Sequence, residues 1–408
     1  MTHFGALRTP RNIIFGKGQR GSLGKAAKSL GSRAFICTDT RLSAERDFIA
    51  MMDDLKSNGV AVHIYDQTIA ELPLSCLDDC VASGKKFGPD IVIGIGGGSC
   101  MDIAKAAAVM LTHGGNIRDY YGEFKVPGPV LPLISIPTTS GTGSEVTPVA
   151  VLGDPERTMK VGIASPHIIS HTAICDPELT YTCPPGLTAI SGSDALTHAI
   201  EAFTAIRRPA TPQLVHEHVF IGKNLLSDHH ALFAIELISR SLARACRQGD
   251  DEAARDDLML GALSAGLAFG TAGTAAAHAI QYPVGALTHT PHGTGVALLM
   301  PYVMDFNRSA CVPEFAQIAL AMGIQRAGKS DDQLSVAAIE KVAALFAEIG
   351  LPKTLAELGL PSDKLDWTAE QSFTAQRLVK NNPKPLDVEK LAIIVKAAFG
   401  GHLMSSDA

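Results

Sequence analysis

An α/β domain followed by an all-helical domain is the architecture that the 408-residue sequence predicts, on three features. In the first half, short apolar runs of buried-strand type alternate with stretches of helical spacing. Two of those runs end in loops built almost wholly of glycine and hydroxyl residues. After Cys183-Pro184-Pro185-Gly186 the strand-like runs fade, and the chain becomes Ala- and Leu-rich with helical periodicity. The expected domains are therefore 1–183 and 184–408, each long enough to bury its own core.

The first strand is expected at Asn12–Phe15, with a turn at Gly16-Lys17-Gly18 and a helix near Ser22–Ser29. Arg33–Thr38 is the next apolar run, ending at Asp39. An acid at the carboxyl end of a buried strand can accept bonds from ribose hydroxyls and repel a 2′-phosphate. It can equally cap the helix that follows, and the sequence leaves both readings open. Val60–Tyr65 is a third strand. Then Asp90–Gly96 runs into Gly97-Gly98-Ser99 and an Ala-rich helix holding Asp102 and Lys105. Glycines let backbone donors approach a pyrophosphate, and a helix start adds a positive dipole end. The spacing is not the Gly-x-Gly-x-x-Gly fingerprint. Val130–Ile136 is followed by Pro137-Thr-Thr-Ser-Gly-Thr-Gly-Ser-Glu145, where seven of nine residues are glycine or carry a hydroxyl. Two such loops at the carboxyl ends of two buried strands mark a nucleotide site of an open α/β sheet. Lys160 would add a positive charge.

In the second half, helices are expected over Ala231–Arg247, Ala253–Phe269, Val336–Glu348 and Asp387–Ala398. Asp194 and His198, at i and i+4, project from one face of a helix. His278 and His292 flank a segment in which Pro283 and Gly285 are expected to end the helix and turn the chain back. Three imidazoles and one carboxylate suit a borderline divalent metal. Ile206–His230, with His216, His218, His229 and His230 near Glu217 and Asp228, offers a rival cluster. A solvent-facing or lid segment is the preferred reading there. The catalytic site is expected in the cleft between the two domains.

The net charge of −6 argues against a nucleic-acid partner. No run reaches the ~18 apolar residues of a membrane span, and the first residues lack the apolar core of a secretory signal. Eight scattered cysteines without a CxxC pair are expected to be reduced thiols of a cytoplasmic protein.

Four motifs in order, Gly-Gly-Gly-Ser-x-x-Asp-x-Ala-Lys, Pro-Thr-Thr-x-Gly-Thr-x-Ser-Glu-Val-Thr, Asp-Ala-x-x-His-Ala-x-Glu and His-x13-His within Pro-His-Gly, resemble the iron-containing (group III) alcohol dehydrogenases. The resemblance runs from Asn12 to about Gly400. It implies a dehydroquinate synthase-like fold, with an α/β N-terminal nucleotide-binding domain and an all-α C-terminal metal-binding domain, usually as a homodimer. It implies Asp194, His198, His278 and His292 as ligands of Fe²⁺, with Zn²⁺ possible. It implies Asp39, Gly96, Gly97, Gly98, Ser99, Asp102, Thr138, Thr139, Thr142 and Lys160 as contacts to NAD. The expected reaction is hydride transfer between nicotinamide and an alcohol whose oxygen the metal polarises. Many members carry a second histidine one turn after the position of His278; here that place is Tyr282, a candidate for proton transfer. Leu72 stands where some members have asparagine, and Val149 is likewise apolar. The competing expectation is a dehydroquinate-synthase-like or glycerol-dehydrogenase-like enzyme of the same fold. Cyclases of the former kind grip a phosphorylated substrate with many Lys and Arg, and few flank these motifs.

Overall fold

The structure, a computed structural model, describes residues 3–157 and 159–403. These form two compact units. The α/β unit comprises Arg8–Cys183 with Val215–Val219. The helical unit gathers the described residues up to Leu7, Pro184–Leu214, and those from Phe220 onward.

The α/β unit runs β1 (Asn12–Phe15), α1 (Leu23–Lys28), β2 (Arg33–Cys37), α2 (Thr40–Ser43), α3 (Arg46–Ser57), β3 (Ala61–Tyr65), α4 (Leu74–Phe87), β4 (Ile91–Gly96) and α5 (Gly98–His113). It continues through β5 (Gly122–Glu123), β6 (Leu133–Pro137), β7 (Val149–Leu152), β8 (Val161–Ala164) and β9 (Thr172–Cys175). Six strands pair in parallel in the order β1-β9-β6-β4-β2-β3. β4 and β6 are buried at every residue, as expected of central strands covered on both faces. The chain leaves β2 toward β3 on one side and β4 toward β6 on the other. The loops after β2 and β4 therefore diverge at the carboxyl edge, the switch point where open α/β sheets take ligands. A second sheet, β5-β8-β7, pairs β8 in parallel with β5 and antiparallel with β7. It has no counterpart in the sequence reading.

The helical unit contains α6 (Pro185–Thr204), α8 (Leu225–Arg247), α9 (Glu252–Ala272), α10 (Ala276–Thr288) and α11 (His292–Asn307), with the single turn α7 (Leu214–Glu217) beginning between α6 and α8. It ends with α12 (Val312–Ala321), α13 (Asp331–Glu348), α14 (Leu365–Thr374), α15 (Gln376–Val379) and α16 (Val388–Gly400). One continuous apolar core joins α6, α8, α9, α10, α11, α12, α13 and α16. Much of it is alanine, which lets helix backbones approach closely and leaves room for buried polar side chains between them. α9 and α10 meet at a bend of 100°, which the Asn381 amide holds by donating to the carbonyls of Ala272 and Thr274. Among the described residues no single helix is long and apolar enough to cross a membrane.

Candidate metal centre and nucleotide loops

α6 carries Asp194, His198 and Glu201 at i, i+4 and i+7, so all three project from one side of the helix. All are buried. Asp194 Oδ1 lies 3.6 Å from His198 Nε2, 3.8 Å from His278 Nε2 and 3.9 Å from His292 Nε2. The chosen atoms of Asp194, His278 and His292 all fall within 4.8 Å of one another, the one such gathering of His, Cys, Asp or Glu among the described residues. His198 joins through Asp194 and stacks on the His278 ring at 4.8 Å, with Phe269 against it at 4.1 Å.

Glu201 fixes this arrangement, and the sequence reading gave it no role. Its Oε1 accepts from Ala277 N–H at 2.8 Å, and its Oε2 from Ala275 N–H at 2.9 Å. Those amides open α10, so the carboxylate satisfies two donors at a positive helix end. The same Oε2 accepts from His278 Nδ1 at 2.6 Å. The ring proton thus sits on Nδ1 and the lone pair on Nε2. Among the described residues that buried Nε2 has no hydrogen-bond partner, and it faces Asp194 Oδ1. An acceptor nitrogen buried opposite a carboxylate oxygen is unfavourable unless a cation lies between them. The donor set of imidazole nitrogens and one carboxylate oxygen fits a divalent transition metal. The signal for Glu201 was its spacing of two turns from Asp194.

His292 is the first residue of α11, and the chain does double back to bring it there, but not as expected. Pro283 lies inside α10, which continues to Thr288 and ends at His289 in the left-handed conformation (φ 53°). Proline removes one intrahelical donor. The buried Ile280 and Val284 on either side keep the helix going. Gly293 then sets the approach of α11 to α6: a Cβ there would fall 2.4 Å from the Ile190 carbonyl oxygen and 3.2 Å from Asp194 Cβ. Tyr282, half-buried, stacks beside His292 with ring centroids 6.2 Å apart.

In the α/β unit, Asp39 caps α2 by accepting from Leu42 N–H at 2.8 Å, while its other oxygen lies 3.9 Å from Cys100 Sγ. One carboxylate thus spans the loops after β2 and β4. Gly96 has φ +147°, and Gly97 precedes α5, where a Cβ would come into ordinary contact with the Thr139 side chain at 3.7 Å. A Cβ at Gly98 would meet Thr142 Cγ2 at 2.7 Å, so the two loops are in close contact. Thr138 N–H donates to the Gly96 carbonyl at 3.0 Å, tying them further. Thr139 and Thr142 are half-buried, as is Ser99. Lys160 forms an ion pair with Glu71. Asp102 is engaged inside the unit: its oxygens accept from Ser144 Oγ at 2.6 Å and Val151 N–H at 3.0 Å. Leu72 is 1% exposed with φ 47°, a core residue in a tight turn.

The rival histidine cluster does not form a ligand set among the described residues. His216 and His229 are exposed, and Asp228 pairs with Arg207 and Lys223. Most of 207–217 is solvent-facing, as are Leu225 and Leu226, whereas Val219, Phe220 and Ile221 are buried.

Comparison with known proteins places these two regions in one context. Residues 10–177 match the model of the iron-containing alcohol dehydrogenase domain, and 188–399 that of the C-terminal domain of the same family. The chain is 37% identical over 381 residues to long-chain-alcohol dehydrogenase 1 of Geobacillus thermodenitrificans, covering 92% of each. It is 33% identical to sulfoacetaldehyde reductase of Bilophila wadsworthia, covering 96% of this chain and 98% of that one. A crystal structure of 1,3-propanediol oxidoreductase superposes with a TM-score of 0.91 at 30% identity, over 97% of this chain and all of the other. A sulfoacetaldehyde reductase from Bifidobacterium kashiwanohense in complex with NAD⁺ superposes with a TM-score of 0.82 at 27% identity, covering 98% and 99%.

Proposed function

Since the chain belongs to the iron-containing alcohol dehydrogenase family, we propose that it interconverts an alcohol and its aldehyde or ketone by hydride transfer with NAD(H). The observation that carries this reading is the convergence of three imidazole Nε2 atoms on Asp194 Oδ1 at 3.6–3.9 Å. Asp194, His198, His278 and His292 would hold the divalent metal, Fe²⁺ with Zn²⁺ as the alternative. Bound there, the metal would supply Lewis acidity toward the substrate oxygen, and NAD⁺ would supply the hydride acceptor.

The chain's own contribution is placement. Glu201 holds the His278 tautomer that presents Nε2, and Phe269 fixes the His198 ring. Gly293 lets His292 approach Asp194. Tyr282, beside His292, is the hydroxyl we assign to moving a proton near the substrate. Gly96–Ser99 and Thr138, Thr139 and Thr142 offer donors to the dinucleotide phosphates. Asp39 favours NAD over NADP through its repulsion of a 2′-phosphate. Lys160, now on Glu71, is the cation available to the ribose end. We further place the protein in the cytoplasm as a homodimer, acting on a small-molecule alcohol or aldehyde.

The test is a panel of alcohols and aldehydes assayed with NAD(H) and NADP(H) on protein loaded with Fe²⁺ or Zn²⁺. NADH should accumulate with an alcohol, need the metal, and vanish in His292→Ala. Protein that binds both metal and NAD⁺ yet turns over nothing in the panel would overturn the reading.

A further inference from the structure

Lys105 is fully buried two turns into α5, an expensive place for an ammonium. Its Nζ donates to Ser144 Oγ, Thr147 O and Val149 O, each at 2.9 Å, with Thr147 Oγ1 at 3.4 Å. One turn earlier, Asp102 accepts from the same Ser144 hydroxyl and from Val151 N–H. Ser144 is therefore acceptor to one and donor to the other. The segment so gripped, Ser144–Val151, continues directly from the hydroxyl-rich loop Pro137–Gly143. Stability alone does not call for this: an apolar side chain of similar volume serves a core as well or better than buried charges. Directional bonds from a rigid helix do something packing does not, which is to fix a loop's backbone to a fraction of an ångström.

The geometry points to Lys105 and Asp102, joined through Ser144, as positioning residues that hold the Thr138–Gly143 loop in register with the start of α5, so that NAD(H) affinity depends on them although neither needs to touch it. This rests on the dehydrogenase reading above. It also reassigns Asp102, whose two oxygens face protein donors. Burial lowers the Lys105 pKa to about 8, opposed by Asp102 and Glu145, which agrees with an ammonium enclosed by its partners.

The test uses full-length, metal-loaded Ser144→Ala and Lys105→Met. Readouts are NADH Kd by fluorescence titration, steady-state constants, metal per chain and melting temperature. Removing a hydrogen bond to a charged group should weaken NADH binding about tenfold or more. KM for NAD⁺ should rise in parallel, while kcat at saturating NAD⁺, KM for the alcohol and metal content change less than about twofold. A merely structural role would lower melting temperature without this split. Ser144→Ala decides the matter if Lys105→Met fails to fold. Folded variants that bind NADH as tightly as wild type overturn the proposal alone. Wild type that binds no NADH overturns the dehydrogenase reading, and this proposal with it.

Discussion

Glu201→Gln is the sharpest perturbation the structure offers. The carboxylate accepts from three donors: Ala275 N–H, Ala277 N–H and His278 Nδ1–H. An amide can place its oxygen at the Oε2 position and keep two of them. Its NH₂ then faces the Ala277 N–H, donor against donor, in a site 1% exposed. One buried donor left unpaired costs about 1–3 kcal/mol. For a unit of this size that is a fall of roughly 2–12 °C in melting temperature. The His278 ring also loses its charged partner, and such outer partners are typically worth about 10–100-fold in metal affinity. Chelator competition on purified protein measures the affinity, and calorimetry measures the melting. A variant that keeps both metal affinity and melting temperature within error would refute the assignment of Glu201 as the group that orients His278.

Three further outcomes are expected. Asp194→Asn should drop bound metal below about a tenth per chain under chelator challenge, by removing the only carboxylate of the set, with far-UV circular dichroism unchanged; stoichiometric metal in the variant would count against the site. Gly293→Ala should cost about 1–3 kcal/mol and weaken metal binding together, because its Cβ would push α11 off Ile190; loss of stability with intact metal affinity would show that the helix contact does not govern His292. Glu145 is buried, and desolvation pushes its carboxyl up to about 7 from 4.5. The folded chain therefore holds a proton that the unfolded chain releases, so this group's contribution is full below pH 4.5 and is lost as pH rises through 7. The melting temperature of Glu145→Gln relative to wild type should accordingly climb between about pH 5 and pH 8, and parallel curves would contradict this.

Much of the fold could be read from the chain. β2 and β4 are short apolar runs, and burial of every residue after Arg33 leaves little room in them for polar side chains. The i,i+4 pair Asp194 and His198 and the bent His278–His292 segment pointed to one centre because helical geometry is regular. What escaped was non-local or energetically small. β5, β7 and β8 have two to four residues each, and the β5–β8 pairing joins residues about forty apart in sequence. Pro283 was expected to end α10, but tertiary packing outweighs one missing donor. Asp102 reads as a ligand contact in its motif, because nothing local shows that Ser144 and Val151 N–H claim its oxygens. Asp39 proved to cap a helix, which the sequence could not separate from a ribose role, and the structure leaves its second oxygen beside the glycine loop.

Arg8 donates to the carbonyls of Val215, His218 and Val219, and Glu123 accepts from Val219 N–H. Elsewhere, Asn224 accepts from Ala6 N–H and Leu225 N–H donates to Phe4. Neither unit is therefore one uninterrupted stretch of polypeptide. A fragment cut after Cys183 would strip the Arg8 guanidinium of its three carbonyls, and one beginning at Pro184 would forfeit the two bonds that Phe4 and Ala6 make at the start of α8. Anyone recombining halves of this chain with those of a relative should move 215–219 with the first half, and the residues before Arg8 with the second.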